Sequence, residues 1–142
     1  MEREAAVSCL RRLHEAQGAF YAGGSGGRLR QLLTQDVVWR VPGKNSIAGV
    51  YPGVDAVMAY FTRRRELANR TFTLHPGEVL VGAGELVAVL TDGAALIEGV
   101  ERRWSTVGLY RFRGQLVAGC RLVPLDPDEF DRIWSVTSWG RG

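Results

Sequence analysis

Side chains with distinctive chemistry are scarce in this chain. Its 142 residues include two cysteines, two histidines and a single lysine, Lys44. Cys9 and Cys120 lie far apart, and neither belongs to a C-x-x-C pair or a Cys/His cluster. This scarcity argues against a disulfide framework and a zinc site, so we predict two reduced core cysteines. No motif for a metal or a cofactor is present, and none is predicted.

Long hydrophobic runs are also missing. No apolar stretch reaches the roughly 18 residues that a membrane-spanning helix needs. The charged, amphipathic start of the chain lacks the apolar block of a secretory signal, which leads us to expect a cytoplasmic protein with no membrane partner. Hydrophobic residues nevertheless make up 46% of the sequence, enough for a core. We predict one domain over residues 1–136 and a C-terminal tail over 137–142.

Positive charge comes almost entirely from arginine. The net charge is +3, and the arginines are spread along the whole chain. Two short clusters, at residues 63–65 and 102–103, are predicted to be a solvated helix face and a solvated strand face. Nucleic acid is therefore not predicted as a partner. Binding through the arginines stays a weaker alternative, which a steep salt dependence would support.

The spacing of apolar residues predicts an α+β fold, with helices at the front and a meander of strands behind. We predict helices at residues 2–21, 53–67 and 127–134, a short helix or turn at 28–33, and strands at 36–41, 71–81, 86–92, 96–113 and 116–123. On the third helix, Met58 and Phe61 belong to the predicted apolar face, whereas Tyr60 and the arginines lie mainly elsewhere. Asp126 is predicted to cap the last helix, with Pro127 at its first position.

Three segments in this order carry a family resemblance: DVVWRVPG, IAGVYPGVDAVMAYF and LYRFRGQLVAGCRLVPLD. Together they make the chain, from about Phe20 to Trp134, similar to the SnoaL-like branch of the nuclear transport factor 2-like superfamily. The resemblance implies a cone: a long N-terminal helix and short helices against a strongly curved, mostly antiparallel sheet. It also implies a pocket at the wide end and homodimers through the outer face of the sheet.

The active-site patterns of that superfamily are absent. A ketosteroid isomerase needs a carboxylate base and two donors for the oxyanion. By the resemblance, these positions fall at Val41, at Ala16 or Gln17, and at Val107 or Gly108. Limonene epoxide hydrolases use an R-x-D pair, and the chain has none. The catalytic Asp of aldol-type polyketide cyclases falls near Cys120 or Arg121, where an Arg could bind an enolate or carboxylate but cannot act as a base.

Few other residues offer chemistry. His75, before Pro76, is predicted at a strand bend near an edge, and a structural role is the plainer interpretation. His14 lies near the apolar side of the first helix, as an interior histidine or one that faces the pocket. Cys120 would need a base beside it to act as a nucleophile.

An aromatic inner face nevertheless remains. Strand alternation places Trp39 with Val41, and Trp104 with Tyr110, on shared faces that the resemblance puts inside the cone. On the partner strand the same alternation selects Leu116, Ala118, Cys120 and Leu122. The predicted substrate-binding residues are Gln17, Trp39, Val41, Tyr51, Met58, Phe61, Trp104, Tyr110, Cys120 and Arg121.

Two functions are compatible with this inner face. One is a SnoaL-like protein that binds, and converts if it is an enzyme, a small hydrophobic molecule of polyketide, steroid or terpenoid type. As an enzyme it would be a cofactor-independent isomerase, cyclase or hydrolase. The alternative is a non-catalytic dimeric module that carries a ligand or binds a partner. Aromatic residues on one face also fill ordinary cores, so the sequence leaves open whether the cone is hollow.

Overall fold

The computed structural model describes residues 1–136, and the predicted tail at 137–142 lies outside the described residues. The helices of the described part are α1 (Arg3–Tyr21), α2 (Gly27–Gln31), α3 (Val54–Leu67) and α4 (Pro127–Trp134). The strands are β1 (Leu33–Val41), β2 (Gly49–Pro52), β3 (Thr73–Val81), β4 (Leu86–Ile97), β5 (Val100–Arg113) and β6 (Leu116–Pro124). Within residues 1–136, no helix is both long and apolar enough to cross a membrane.

The strands form one six-stranded sheet in the order β2-β1-β6-β5-β4-β3. Adjacent strands pair antiparallel, except β1 and β6, which run parallel. The long helices pack on its concave side: α1 lies against β3, and α3 lies against β1 and β2. This arrangement confirms the predicted α+β fold with a curved, mostly antiparallel sheet.

Helix α1 forms because its apolar residues recur every three or four positions along one face. That face is buried and includes Leu10, Leu13, His14, Gln17 and Tyr21. The chain then turns at Gly23, whose φ of 107° suits glycine. As a result, two polar side chains of α1, His14 and Gln17, point into the interior.

Helix α3 shows the largest departure from the predicted faces. It begins after Gly53, whose φ of 87° lets the chain turn from β2 into the helix. Tyr60 and Arg64, predicted to lie mainly off the apolar face, are 1% and 6% exposed. The prediction was wrong because residues 57, 60, 61 and 64 share one helical face by spacing, whatever their charge. Met58 is only half-buried, and a Cβ on Gly26 would meet its methyl group.

The β4–β5 hairpin is longer than predicted. Instead of a turn at residues 93–95, β4 continues to Ile97, and the chain reverses at Glu98 and Gly99. Their φ values of 50° and 78° are both positive, as a two-residue hairpin turn of type I′ requires. Gly93 stays within β4 because it pairs with Trp104, whose ring lies 2.6 Å from the place of a Cβ. The glycine thus makes room for an indole ring.

Two further details of the sheet differ from the prediction. Residues 42–52, where no strand was predicted, contain strand β2, whose Tyr51 pairs with Trp39. In β6, the register shifts opposite Arg111, so the alternation is reset and Val117 rather than Leu116 is buried. Leu116 is 37% exposed, and its predicted inward position was wrong.

Helix α4 closes one end of the sheet. The Asp126 side chain accepts a hydrogen bond from the Glu129 amide at 3.1 Å, and Pro127 is the first residue, which confirms the predicted cap. Apolar residues on one face, Phe130 and Trp134 among them, are buried. The Trp134 carbonyl accepts a 2.9 Å bond from the Ser46 amide, which ties the helix to the loop between β1 and β2.

Candidate ligand site in the cone

The concave face of the sheet and the helices enclose a cavity of about 20 Å³, here called the cone cavity. A water molecule needs roughly 10–15 Å³ by this measure, whereas a drug-sized ligand needs a pocket of about 300–1,000 Å³. The pocket that the family resemblance implies at the wide end of the cone is therefore closed in this structure. Large side chains fill the space, and the lining residues are His14, Gln17, Trp39, Ile47, Arg64, Phe72, Leu74, Thr91, Gly93, Trp104, Thr106, Gly108, Tyr110, Leu122, Phe130 and Trp134.

Arg64 is the charged residue of this lining, and aromatic rings surround it. Its guanidinium carbon lies 4.5 Å from the centre of the Phe72 ring and 5.4 Å from that of Tyr21. One nitrogen donates a hydrogen bond to the Tyr60 hydroxyl, while Nε has no hydrogen-bond partner. The rings of Tyr21, Tyr60 and Phe72 each contribute a cation–π contact of about 0.5–2 kcal/mol, which offsets part of the several kcal/mol that burying an ion costs.

No described Asp or Glu side chain forms an ion pair with Arg64. The nearby hydroxyl groups do not compensate its charge either. Burial raises the pKa of Tyr60 and of Tyr110 above the ordinary range, so both phenols are neutral at pH 7. The guanidinium is therefore a buried cation without an anionic side-chain partner among residues 1–136.

Two indole N–H groups on the same lining also lack acceptors. Trp39 is 1% exposed and Trp134 is fully buried, and Nε1 of each has no hydrogen-bond partner. Unpaired buried donors are uncommon because each costs about 1–3 kcal/mol. Together with Nε of Arg64, they make the cone cavity rich in unused hydrogen-bond donors.

His14 adds a titratable group that is neutral. Burial lowers its pKa to about 4, because the apolar surroundings disfavour the charged imidazolium. Its ring packs edge-on against Tyr110, with 6.4 Å between the ring centres. A neutral imidazole keeps one nitrogen able to accept a proton and another able to donate a hydrogen bond.

Four of the ten predicted substrate-binding residues line the cavity: Gln17, Trp39, Trp104 and Tyr110. Two others lie behind this lining. Phe61 packs edge-on against Trp39 at 4.9 Å, and Tyr51 stacks on Tyr60 at 4.5 Å with its hydroxyl bonded to the Ile47 carbonyl at 2.6 Å.

The remaining four lie elsewhere. Cys120 is buried opposite Tyr110 without lining the cavity, and burial raises the pKa of its thiol, so it is not a poised nucleophile. Arg121 follows it on the strand and is exposed on the opposite face of the sheet, because side chains alternate. Val41 lines a surface groove beside Arg121, and Met58 packs towards Gly26.

Other candidates from the sequence have ordinary structural positions. His75 is exposed on the edge strand β3, next to a register shift that begins at Pro76. Cys9 and Cys120 are both free and buried, as predicted. Within residues 1–136, no group of three or more His, Cys, Asp or Glu side chains could hold a metal ion.

The sequence did not indicate Arg64 as part of the site, and it placed Trp134 on the last helix without showing whether that side chain faces the pocket. Arg64 lies three, four and seven residues from Phe61, Tyr60 and Val57, so helical spacing alone marks it as buried. The composition of this segment masks the spacing, because three consecutive arginines usually mark a solvated face.

A surface groove of about 440 Å³ adjoins the cone cavity between α1 and β3, here called the α1–β3 groove. Its walls are mainly apolar and include Leu10, Val79 and Val89. His14 and Leu74 line both the groove and the cavity, so these two side chains form the partition between them. A second groove of about 630 Å³, beside α4, shares Leu122 and Phe130 with the cavity.

Comparison with known proteins agrees with this fold. The family profile described as "SnoaL-like domain" matches residues 11–119. An uncharacterized protein of Mycobacterium tuberculosis, Rv0034, is 38% identical over 72 residues, which cover 50% of this chain and 55% of that protein. The alignment thus spans about half the length of the curated relatives that the chain matches.

Solved structures give the same picture over almost the whole chain. Bal32a, from a soil-derived mobile gene cassette, has a TM-score of 0.83 at 23% identity and covers 92% of this chain and 97% of its own. An NTF2-like protein of Burkholderia pseudomallei has a TM-score of 0.77 at 20% identity, and the match covers 96% of this chain and 100% of that protein. TerC, co-crystallized with polyporic acid, has a TM-score of 0.73 at 14% identity, covering 91% and 97%. Identities this low show the fold alone.

Proposed function

The chain belongs to the SnoaL-like domain family, and from that premise we propose that it binds a small hydrophobic molecule of polyketide, steroid or terpenoid type in its cone. The observation that carries this proposal is the partition between the cone cavity and the α1–β3 groove. Because His14 and Leu74 line both spaces, turning these two side chains aside joins them. The joined space reaches the size of an ordinary ligand pocket.

The walls of this joined space suit a hydrophobic molecule. The groove contributes aliphatic side chains, and the cavity contributes the rings of Trp39, Phe72 and Trp104. Aromatic and aliphatic walls with a few polar groups are typical of small-molecule sites. A protein of the same fold, TerC, was co-crystallized with polyporic acid, which supports a small organic ligand for the fold.

Substitutions of Leu74 test the proposal. We expect Leu74→Ala to open the partition and raise affinity for the ligand, and Leu74→Trp to block it and abolish binding. The measurement is a thermal-shift screen with aromatic polyketides, steroids and terpenoid epoxides, since a ligand that binds only the folded state raises the melting temperature. Leu80→Ala and Leu80→Trp are matched controls, because Leu80 lies on the same strand and is 67% exposed. The proposal would be contradicted if the ligand shifted the melting temperature of both Leu74 variants as much as that of the unmodified protein.

Conversion of the bound molecule by proton transfer is a second candidate function, and His14 favours it. A neutral imidazole inside the cavity is able to take a proton from a carbon acid, and the Arg64 cation is placed on the same lining to stabilise the resulting enolate. This chemistry would be a cofactor-independent isomerisation or cyclisation. Its test is turnover of any ligand found in the screen, lost in His14→Asn while binding is retained; binding without turnover leaves a carrier.

We also propose that two copies associate through the outer face of the sheet. A row of apolar side chains crosses three neighbouring strands there: Leu90 pairs with Val107, and Val107 pairs with Val123. Leu90 and Val123 are 39% and 40% exposed in the single chain. Contiguous exposed apolar surface on a sheet commonly marks an interface between proteins.

A further inference from the structure

We infer that the cone cavity is an oxyanion-binding site, in which Arg64 and the indole N–H groups of Trp39 and Trp134 hold the carboxylate, or the ionised enol or phenol, of a small aromatic molecule. This inference rests on the proposed function and names the class of molecule that the cone takes. It goes beyond a hydrophobic pocket, because an uncharged hydrophobic ligand would not compensate the charge of a buried cation.

Burying the charge of Arg64 costs free energy. Arg64 is 6% exposed, its guanidinium lies among aromatic rings, and it forms no ion pair with a carboxylate among residues 1–136. A buried cation left without an anion is strongly unfavourable, whereas a hydrophobic side chain of similar volume is often neutral or stabilising. Packing of helix α3 does not by itself call for a charge at this position, so stability alone does not explain the arginine.

The buried donors without hydrogen-bond partners match an anion. Nε of Arg64 and Nε1 of both tryptophans are all donors, all buried, and all on residues that line one cavity. A ligand that satisfies three donors must offer several acceptor lone pairs. A carboxylate or a delocalised enolate offers these and also supplies the missing negative charge.

The cone cavity is too small for a whole ligand. A cavity of about 20 Å³ has room for little more than one oxygen atom of such a head group. The remainder must pass the partition at His14 and Leu74 into the α1–β3 groove, whose walls are mainly apolar. The inferred ligand therefore has an anionic head and a flat hydrophobic body. His14 is compatible with this head, because its lowered pKa keeps it from adding a second charge.

The experiment compares 2-naphthoate with its neutral counterpart 2-naphthamide by isothermal titration calorimetry. For the unmodified protein we expect naphthoate to bind at least about tenfold more tightly, the size of a charge-assisted hydrogen bond. In Arg64→Met that preference should vanish while naphthamide binding persists. Arg65→Met is the matched control, because Arg65 is the neighbouring residue, is paired with Glu66 at 3.0 Å and is not on the lining of the cavity.

Equal affinities for the two naphthyl compounds, or a preference that survives in Arg64→Met, would overturn the inference and leave the proposed function standing. A second probe separates the opposite case. Formate is an oxyanion without a hydrophobic body, so it should raise the melting temperature of the unmodified protein, but not of Arg64→Met, relative to chloride at equal ionic strength. Stabilisation by formate with no binding of either naphthyl compound would support the oxyanion site and contradict the proposed function. No stabilisation by formate and no binding of naphthoate would overturn the inference.

Discussion

At the scale of single residues, His14 gives a pH dependence that can be measured. Its pKa in the folded protein is about 4, below the ordinary value of 6.5. As the pH falls below 6.5, the unfolded chain therefore takes up this proton first, and the free energy of unfolding decreases. The stabilisation is complete above pH 6.5 and is lost progressively towards pH 4. We expect a decrease of about 2 kcal/mol between pH 7 and pH 5.

Urea unfolding at several pH values checks this expectation. The control is His14→Asn, which keeps a polar side chain at the position but does not titrate. Its free energy of unfolding should be nearly flat between pH 7 and pH 5. Equal pH dependence in both proteins would show that another group is responsible and that His14 is not buried as the structure has it.

Arg64 shows why single residues of the site were hard to predict. Its spacing along α3 matches the buried face, but composition rules count arginine as exposed because burying a lone charge is costly. Sequence gives no sign that a ligand offsets such a cost. By contrast, Trp39, Trp104 and Tyr110 were correctly placed inside, because strand alternation and hydrophobicity point the same way for aromatic residues.

At the scale of elements, α4 depends on its cap. The Asp126 side chain accepts from the Glu129 amide, so Asp126→Ala leaves that donor unpaired. We expect a loss of about 1 kcal/mol in the free energy of unfolding. Asp128→Ala is the control, because this exposed carboxylate contributes only about 0.3–1 kcal/mol through the helix dipole.

Urea unfolding curves of the two α4 variants provide the measurement. Destabilisation of Asp126→Ala by no more than Asp128→Ala would mean that α4 does not rely on the cap. Because Phe130 and Trp134 of this helix line the cone cavity, a loosened α4 should also make the cavity more accessible.

Most elements were predictable because their signals are local. The period of the apolar residues predicts α1 and α3. Asp126 and Pro127 predict where α4 begins, because a capping side chain and a proline at the first position are local signals of a helix start. The errors lie where pairing across the sheet decides. Gly93 looks like a turn residue until its partner Trp104 is known, and the bulge that exposes Leu116 arises only from the pairing of β5 with β6. The same holds for the closed cone, since packing density is a property of the assembled layers.

At the scale of the whole molecule, the outer face of the sheet predicts association of two copies. Apolar side chains of Leu90, Val107 and Val123 form a continuous row across three strands, and covering them removes apolar area from water. We expect a dimer in light scattering coupled to size-exclusion chromatography. Leu90→Glu should convert it to a monomer, because two like charges would meet at the interface and lose their hydration.

Leu125→Glu is the control for this change. Leu125 is 59% exposed and precedes α4, outside the row, so the same charge there should leave the dimer intact. A monomer in the unmodified protein would contradict association through this face, and so would a dimer that survives Leu90→Glu. The cone cavity lies on the concave side of the sheet, and the proposed interface lies on the convex side. The monomeric Leu90→Glu protein should therefore bind naphthoate as tightly as the unmodified protein, which separates assembly from ligand binding in a single variant.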